Sequence, residues 1–294
     1  MNMNNSPSQS SLVVGYLGPS GSHSQQALKI LRPGYEEKPY PFFKPLFQAL
    51  ESGDVDLVIV PIENSLEGGV SVVMEILGSG RYPVKIVSEF DFSISHALMS
   101  KSDGTINTVV SHPQALGQCR ETLKEKFGEG LNLQQASSTS EAARIVSETS
   151  ETGWAALATQ QASEDYNLKI LLDNASDSTE NQTRFLLVTH QECDVPPILH
   201  QERTTISKKT SLCLGLKDRP GVLVDILLVF KAYGVNLTRI ESRPSRKKMG
   251  DYLFYLDTDS ELTEEQFDKV RMYLSAETNH LQIMGPYNVF GKLG

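Results

Sequence analysis

Short runs of Val, Ile and Leu alternate with helix-like windows from Leu12 to about Thr189, and this alternation restricts the folds open to the chain. Strands of that composition are typical of sheets covered on both faces. Strands that alternate with helices predict an α/β domain with largely parallel sheets, with room for two lobes around a cleft. The expected strands are Leu12–Leu17, Asp56–Ile62, Val84–Phe92, Thr108–Ser111, Trp154–Ala158, Lys169–Leu172 and Arg184–Thr189, and the expected helices are Ser22–Leu31, Gly69–Leu77, Gln114–Phe127 and Ser140–Glu148.

A change of composition at Val195-Pro196-Pro197 predicts a linker before a second domain. Beyond the linker the expected elements follow the order β-α-β-β-α-β, which is the ferredoxin-like split unit. We therefore expect a loose polar tail over residues 1–11, a first domain over 12–195, a linker over 196–208 and a second domain over 209–294. The expected elements of the second domain are Thr210–Leu216, Pro220–Tyr233, Val235–Ser242, Tyr252–Asp257, Glu261–Ser275 and His280–Met284.

The composition argues against several classes of function. The 294 residues include 27 Lys plus Arg and 36 Asp plus Glu, a formal net charge of −9, so non-specific binding to nucleic acid is not expected. No apolar run approaches the ~18–20 residues that cross a bilayer, and the Asn- and Ser-rich start lacks the pattern of a secretion signal. Cys119, Cys193 and Cys213 lie far apart, so neither a disulfide framework nor a zinc site is expected. We expect a cytoplasmic protein.

The chain lacks the HExxH, GxSxG, Walker A and EF-hand patterns, and its histidines have no metal-ligand spacing. We therefore expect no metal ion and no cofactor. The chemistry must come from polar residues at the ends of strands, where ligands bind in open α/β sheets. Gly21 and Ser22 lie in a turn that opens a helix, and this turn either binds an anion or is only a Ser-capped turn. Glu63, Asn64 and Ser65 end a buried strand, either as ligand-binding groups or as a helix-capping turn.

Three further polar residues lie in similar places. His112 is either a general base or, as we favour, a hydrogen-bond partner of a helix start. Gln118 shares a helix face with Gln114, four residues earlier. Arg184 is the best fork for a carboxylate in the first domain, although arginines more often form surface ion pairs.

Two strings in the second domain suggest a site for a small zwitterion. One is a loop that enters a helix, and the other is a strand that follows the helix. The alternative is an interface strand beside a helix-capping loop. The loop residues are Gly221, Val222 and Leu223, and the strand residues are Asn236, Leu237, Glu241, Ser242, Arg243 and Pro244.

Together these strings resemble the prephenate dehydratase family with a C-terminal ACT regulatory domain, over nearly all of Leu12–Gly294. GYLGPSGSHS, VPIENSLEGGV, SHPQALGQC and NQTRF are similar to motifs of the catalytic domain, and DRPGVL and NLTRIESRP to the effector strings of the ACT domain. The resemblance implies a two-lobed catalytic domain, periplasmic-binding-protein-like with a cleft between the lobes, and a ferredoxin-like ACT domain. Two departures are His23 in place of an aromatic residue and Val222 in place of Ala.

The resemblance implies the decarboxylative dehydration of prephenate to phenylpyruvate without a cofactor, in phenylalanine biosynthesis. It also implies a homodimer or homotetramer with L-phenylalanine as inhibitor at the ACT domain, between the loop of one chain and the strand of its partner. Arogenate dehydratase and a non-catalytic amino-acid sensor remain alternatives. The implied catalytic residues are Thr183, Asn64 and Gln118, the implied substrate contacts are Arg184, Phe185, Ser65, Glu63, Ser22, Gly21 and His112, and the implied effector contacts are the loop and strand residues named above.

Overall fold

The computed structural model describes residues 12–31, 35–178, 180–193, 204–245, 251–259 and 264–293. The predicted tail 1–11 and most of the predicted linker 196–208 therefore lie outside the described residues. Contacts divide the chain into two compact units. The first unit comprises described residues up to Ile59 and Phe92–Gln182, and the second comprises Val60–Asp91 and Thr183–Lys292.

The first unit is mixed α/β. Its strand β1 lies between β2 and the start of β3, and both pairings are parallel. The elements that begin in this unit are β1 Val13–Leu17, α1 His23–Leu31, β2 Glu36–Tyr40, α2 Phe43–Ser52, β3 Leu57–Asn64, β6 Ala97–Ser100, β7 Thr108–Ser111, α4 Pro113–Gln118, α5 Arg120–Phe127, β8 Asn132–Gln135, α6 Thr139–Glu148, β9 Trp154–Ala158, α7 Gln160–Asp165, β10 Lys169–Leu172 and β11 Gln182–His190.

A five-stranded sheet in this unit has the order β10-β6-β9-β7-β8. Alternate residues of its strands enter two separate apolar clusters, since neighbouring side chains of a strand point to opposite faces. Ala156 packs with Ala142 and Val146 of α6 in one cluster, whereas Ala155 packs with Leu123 of α5 in the other. Both faces are thus covered, as the apolar strand composition predicts.

The expectation of largely parallel sheets is only partly correct. β7 pairs in parallel with β8 and β9, but β6 pairs antiparallel with both β9 and β10. Several elements were not predicted from the sequence, among them the polar strands Glu36–Tyr40 and Asn132–Gln135 and the helix Phe43–Ser52. The single helix predicted over Gln114–Phe127 is two helices, which meet at Cys119.

The second unit contains the β-α-β-β-α-β order predicted for the C-terminal region. Four of its strands form the sheet order β13-β14-β12-β15, with antiparallel neighbours throughout, which confirms the ferredoxin-like topology. Helices α8 and α9 supply Ile226, Phe230 and Leu274 to the core of this sheet. The unit's remaining elements are β4 Gly68–Gly69, α3 Ser71–Gly78, β5 Val84–Ser93, β12 Thr205–Leu216, α8 Val222–Ala232, β13 Leu237–Pro244, β14 Tyr252–Thr258, α9 Glu264–Glu277 and β15 Thr278–Phe290.

The last strand is longer than predicted and joins the C-terminal sheet to an earlier strand. The predicted strand His280–Met284 ends before Gly285 and Pro286, whereas β15 continues to Phe290. Its end pairs in parallel with β5, so that Val289 lies beside Glu89. The strands β5, β11 and β3 follow in the same sheet of this unit.

A buried carboxylate lies at this junction. Glu89 is only 2% exposed, and its Oε1 is 2.5 Å from Lys209 Nζ and 3.2 Å from Arg184 Nε. Tyr287 donates a hydrogen bond of 3.2 Å to the other carboxylate oxygen. Burial, together with Glu89 and Asp257, raises the pKa of Tyr287 well above its usual range, so its hydroxyl keeps the hydrogen that it donates.

Replacing Glu89 should therefore be costly. Glu89→Ala leaves two cations and a tyrosine without their common partner, and we expect the free energy of unfolding to fall by about 3–5 kcal/mol in urea denaturation at pH 7. Asp103→Ala is the matched control, because it removes the exposed carboxylate paired with Lys169, and should cost less than about 1 kcal/mol. Equal effects of the two variants would contradict this account.

None of the described helices combines the length and apolar character needed to cross a bilayer. The three cysteines are free thiols. Burial raises the pKa of Cys119 to about 12 and that of Cys213 to about 11, so neither is a reactive thiolate at neutral pH.

Candidate active site

The end of β3 and the start of β11 bring two of the predicted catalytic residues together. Asn64 Nδ2 donates a hydrogen bond of 2.9 Å to the hydroxyl oxygen of Thr183. The same side chain accepts hydrogen bonds from the backbone N–H groups of Leu66 and Glu67, at 2.9 Å and 3.2 Å. Asn64 therefore fixes a tight turn and a hydroxyl group at once, so the ligand-binding and turn-forming alternatives are not exclusive.

The Asn64 contact leaves Thr183 suited to donate. The hydrogen bond from Asn64 uses a lone pair of Thr183 Oγ1 and not the hydroxyl hydrogen. A hydroxyl that accepts one hydrogen bond becomes a stronger donor of another. Thr183 is 8% exposed, so this donor is held in a site with little competing water. Such a hydroxyl can stabilise negative charge that develops on a leaving oxygen.

Arg184 follows Thr183 and is surrounded by protein carboxylates. Its Nη1 donates to Glu63 at 2.9 Å, and its Nε lies 3.2 Å from both Glu89 and Asp91. Burial lowers the pKa of Arg184, but the three carboxylates outweigh it and the pKa is raised, so the guanidinium stays charged. The ion-pair alternative from the sequence is thus the arrangement present.

Phe185 and Glu63, which the sequence suggested as substrate contacts, both contact other residues of the protein. Phe185 is 1% exposed, and its ring stacks on Phe90 with 5.9 Å between ring centroids. This favours a packing role over the predicted substrate contact. Glu63 forms an ion pair with Arg184, while Ser65 is exposed in the turn after it.

The first unit holds a separate polar cluster around Gln118. Its Oε1 accepts a hydrogen bond from Asn181 at 3.1 Å and lies 3.0 Å from His96 Nε2. With Oε1 as acceptor, His96 carries its hydrogen on Nε2. None of the described contacts uses the Nε2 hydrogens of Gln118. The Asn-Gln-Thr-Arg-Phe string thus contributes side chains to this cluster as well as to the pair described above.

His23, which replaces an aromatic residue of the family pattern, packs against His96. The two rings meet edge to face at 5.3 Å. Burial, and then the neighbouring His96, lowers the pKa of His23 to about 3, although the nearby Gln26 side chain acts in the opposite direction. His23 is therefore a neutral ring at physiological pH and fills the place of the aromatic residue.

The turn before α1 uses its polar groups internally. Ser22 Oγ donates to the Leu17 carbonyl at 2.9 Å, and Gly21 N donates to Gln25 Oε1 at 2.6 Å. Gly21 has a φ of +79°, and a Cβ there would lie 3.1 Å from Ala162, so the position requires glycine. The turn therefore favours the capping alternative over the anion site.

His112 forms the contact that the sequence analysis favoured. Its Nδ1 accepts a hydrogen bond of 3.3 Å from Gln114 N at the start of α4. This contact uses Nδ1 as an acceptor and leaves Nε2 as the ring's donor. His112 therefore caps a helix, and its predicted role as a substrate contact stays a prediction.

The two effector strings lie on the C-terminal sheet and its first helix. Gly221 is the N-cap of α8 with a φ of +79°, and Val222 is buried, so the added methyl groups of Val222 point into protein. Asn236 donates to Asp259 at 2.7 Å. Residues of β13 alternate in exposure: Glu241 and Arg243 lie on the more buried face, and Ser242 and Pro244 on the exposed face.

These features define a class. The chain combines an α/β region, in which an asparagine positions a threonine hydroxyl, with a C-terminal β-α-β-β-α-β domain. A prephenate dehydratase family model matches residues 14–193, and an ACT domain model matches residues 210–270. The chain belongs to the prephenate dehydratase family, which confirms the resemblance found in the sequence.

Relatives of known name agree with this assignment. Prephenate dehydratase from Methanocaldococcus jannaschii is 36% identical over 281 residues, which cover 94% of this chain and 98% of that protein. Arogenate dehydratase/prephenate dehydratase 2 of Arabidopsis thaliana is 33% identical, with 94% and 72% covered. Prephenate dehydratase from Arthrobacter aurescens in complex with L-Phe is a similar solved structure, at 28% identity, a TM-score of 0.81 and coverage of 94% and 90%. GqqA, described as a quorum-quenching acylase, is 26% identical with a TM-score of 0.80 and coverage of 94% and 97%.

Several residues of these clusters were missed by the sequence analysis. They are the carboxylates Glu89 and Asp91 beside Arg184, and His96 and Asn181 beside Gln118. Asn181 stood inside a quoted motif without an assigned role. The other three lie in apolar or Ser-rich stretches that give no periodic or spacing signal.

The low pKa of His23 makes stability depend on pH. Unfolded His23 takes up a proton near pH 6.5, but folded His23 does so only near 3, so protons favour the unfolded state below pH 6.5. Between pH 7 and pH 5 the wild type should lose about 2 kcal/mol more unfolding free energy than His23→Phe. Urea titrations at both pH values measure this difference. His190→Phe, at the end of β11, controls for loss of a histidine elsewhere, and a wild-type pH slope in His23→Phe would refute the assignment.

Proposed function

We propose that this chain is a prephenate dehydratase, which converts prephenate to phenylpyruvate and is inhibited by L-phenylalanine at its ACT domain. The observation that carries the proposal is the Thr183 hydroxyl, which is held by Asn64 with its hydrogen free of that contact. The reaction is inferred from family membership, and the contact with Asn64 indicates how Thr183 could assist it by donating a hydrogen bond.

In this reaction the ring C–O bond breaks, and the departing hydroxyl takes up a proton from the solvent and leaves as water. The bond from the ring to its carboxylate also breaks, and its electron pair completes the aromatic ring while carbon dioxide departs. Aromatisation drives the reaction, so the protein needs to orient the substrate and stabilise the departing oxygen. A threonine hydroxyl is too weak an acid to act as a free-standing proton source, so Thr183 acts through a hydrogen bond that strengthens as charge builds on that oxygen.

Other residues orient the substrate. Gln118 offers the amide hydrogens that its described contacts leave unused, and Asn64 fixes Thr183. Arg184 binds a substrate carboxylate only if that carboxylate takes the place of Glu63, whose side chain is 36% exposed. Such an exchange is inexpensive, because half-exposed ion pairs contribute only about 0–1 kcal/mol.

Thr183→Ala should lower kcat by about 10²–10³-fold, because it removes one donor to the leaving group. Thr183→Ser keeps the hydroxyl and should retain most of the activity. Formation of phenylpyruvate followed by ultraviolet absorbance measures turnover, and circular dichroism checks the fold. Near-normal turnover of Thr183→Ala would remove Thr183 from the chemistry.

Turnover measurements distinguish two alternatives. Arogenate differs from prephenate in carrying an amino group in place of the keto group, so it gives phenylalanine in place of phenylpyruvate, and kcat/KM measured on each substrate from its own product decides between them. A non-catalytic sensor would bind phenylalanine without turnover of either. Hydrolysis of an acyl amide by the wild type, with no loss in Thr183→Ala, would instead favour an activity like that named for GqqA.

The assembly that fits this proposal is a cytoplasmic homodimer, alone or paired into a tetramer. Among the described strands, β13 lies at the edge of its sheet, and its exposed face includes Ile240, which is 52% exposed. An unpaired edge with an apolar side chain is suited to pairing with a second copy.

Ile240→Lys places a charge on this edge and should shift the protein toward monomer. Light scattering after size-exclusion chromatography, at several protein concentrations, measures the mass. Leu133→Lys is the control, because Leu133 is exposed on a different edge strand, β8. A monomeric wild type, or an unchanged mass of Ile240→Lys, would contradict dimerisation through this edge.

A further inference from the structure

The more buried face of β13 carries three charged residues. Arg239, Glu241 and Arg243 are spaced by two and share one face of the strand, while the residues between them are exposed. Their side chains are 14%, 27% and 24% exposed. A strand that carries an effector string thus directs charge into the protein, which needs a specific reason because burying charge is costly.

The three side chains form one connected cluster, which we call the β13 cluster. Glu241 accepts from Arg239 at 2.6 Å and forms an ion pair with Arg243. Burial raises the pKa of Glu241, but both arginines outweigh it and the pKa is lowered, so the carboxylate remains charged. Because Glu241 holds both arginines, a displacement of any one of the three is transmitted to the others.

The β13 cluster contacts the segment that follows Asn64. Arg243 donates to Ser71 Oγ at the start of α3 and to the Gly69 carbonyl at 3.4 Å. Arg239 Nη2 lies 3.1 Å from the sulfur of Met74, one turn further along the same helix. These contacts join the effector strand to the helix that follows the catalytic turn.

Gly69 leaves little room beside the β13 cluster. A Cβ at Gly69 would lie 3.0 Å from Arg239 Nη2 and 3.1 Å from Glu241 Oε2. Glycine therefore permits the cluster to pack directly on the backbone of the turn.

The contacted segment is tied to Asn64 by backbone pairing. Gly68 pairs with Asn64 and Gly69 pairs with Glu63 in a short antiparallel ladder, and Val70 N donates to the Ile62 carbonyl at 2.8 Å. A shift of Gly69 therefore moves Asn64, and with Asn64 the hydrogen bond that orients Thr183. The path from β13 to the catalytic hydroxyl passes through one turn.

The geometry points to Arg243 as a positioning residue that, with Arg239 and Glu241, holds the catalytic turn and couples the effector strand to Thr183. Phenylalanine bound on β13 changes how firmly the cluster holds Gly69 and Ser71. Only a ligand with different affinity for the two arrangements can shift them. This inference rests on the proposed function for its effector and its reaction, but the contact itself is tested without either.

Ser71→Ala tests the contact from the side of the helix, because it removes the side-chain acceptor that α3 offers to Arg243 and leaves β13 unchanged. Ser79→Ala is the matched control at the other end of α3, since in the described contacts the side chain of Ser79 hydrogen-bonds only to the nearby backbone groups of Ile76 and Arg81. Without any ligand, hydrogen exchange of the Leu66 and Glu67 amides should be at least about 5-fold faster in Ser71→Ala than in wild type or Ser79→Ala. Equal exchange in all three proteins would overturn the positioning role.

The coupling is measured with phenylalanine. The ratio of kcat/KM without phenylalanine to that at saturating phenylalanine should fall at least about 5-fold in Ser71→Ala relative to wild type. Calorimetry should still detect phenylalanine binding to this variant. Inhibition as strong as in the wild type, or an equal loss in Ser79→Ala, would overturn the coupling. If the wild type binds no phenylalanine or has no turnover, the proposed function fails, while the exchange experiment still decides the contact.

Gly69→Ala gives a second, opposite perturbation. Its backbone φ lies outside the region reserved for glycine, so the added methyl group acts through crowding of Arg239 and Glu241. We expect the same rise in exchange of the Leu66 and Glu67 amides. Gly104→Ala controls for this substitution, because no atom lies within 4 Å of a Cβ at Gly104. Exchange in Gly69→Ala that matches Gly104→Ala would count against the β13 cluster.

Discussion

The buried carboxylate of Glu89 is the constraint on which the second unit depends. Moving a carboxylate out of water costs several kcal/mol, and only close counter-charges and hydrogen bonds offset this. The counter-charges come from β11, through Arg184, and from β12, through Lys209, while Tyr287 of β15 supplies the hydrogen bond. These partners fix the pairing of β15 with β5. The register of the C-terminal sheet and the position of Arg184 are therefore set by the same group.

This arrangement makes the ACT region more than an attached module. Its last strand belongs to the same sheet as the strand that carries Thr183 and Arg184. A chain cut after Pro197 would lose β12 and β15, and with them Lys209 and Tyr287. Such a truncation would leave Glu89 buried without these two partners, so it would lower the stability of the fold in addition to removing regulation. Point variants at the surface of α3 separate the two questions, because they leave every partner of Glu89 in place.

The sequence predicts what local composition decides. The apolar strands Thr108–Ser111 and Trp154–Ala158 agree with the prediction at both ends, whereas the polar edge strand Glu36–Tyr40 has no apolar alternation to reveal it. The motifs also place Asn64 and Thr183 at strand ends. Their hydrogen bond joins residues 119 positions apart and depends on which strands become neighbours, so no spacing rule contains it. For the same reason the carboxylates around Arg184 were not predicted, since they come from residues distant in the sequence.

The turn after β3 controls two properties of the site at once. It carries Asn64, which hydrogen-bonds to Thr183, and Glu63, which forms an ion pair with Arg184. Because Gly68 and Gly69 pair with these two residues, a displacement of the turn changes the Asn64–Thr183 hydrogen bond and the ion pair of Arg184 together. In the mechanism that we propose, the first effect acts on the transition state and lowers kcat, while the second acts on the bound substrate and changes KM. An effector that works through this turn should therefore produce mixed inhibition, whereas a ligand that merely filled the substrate site would change KM alone.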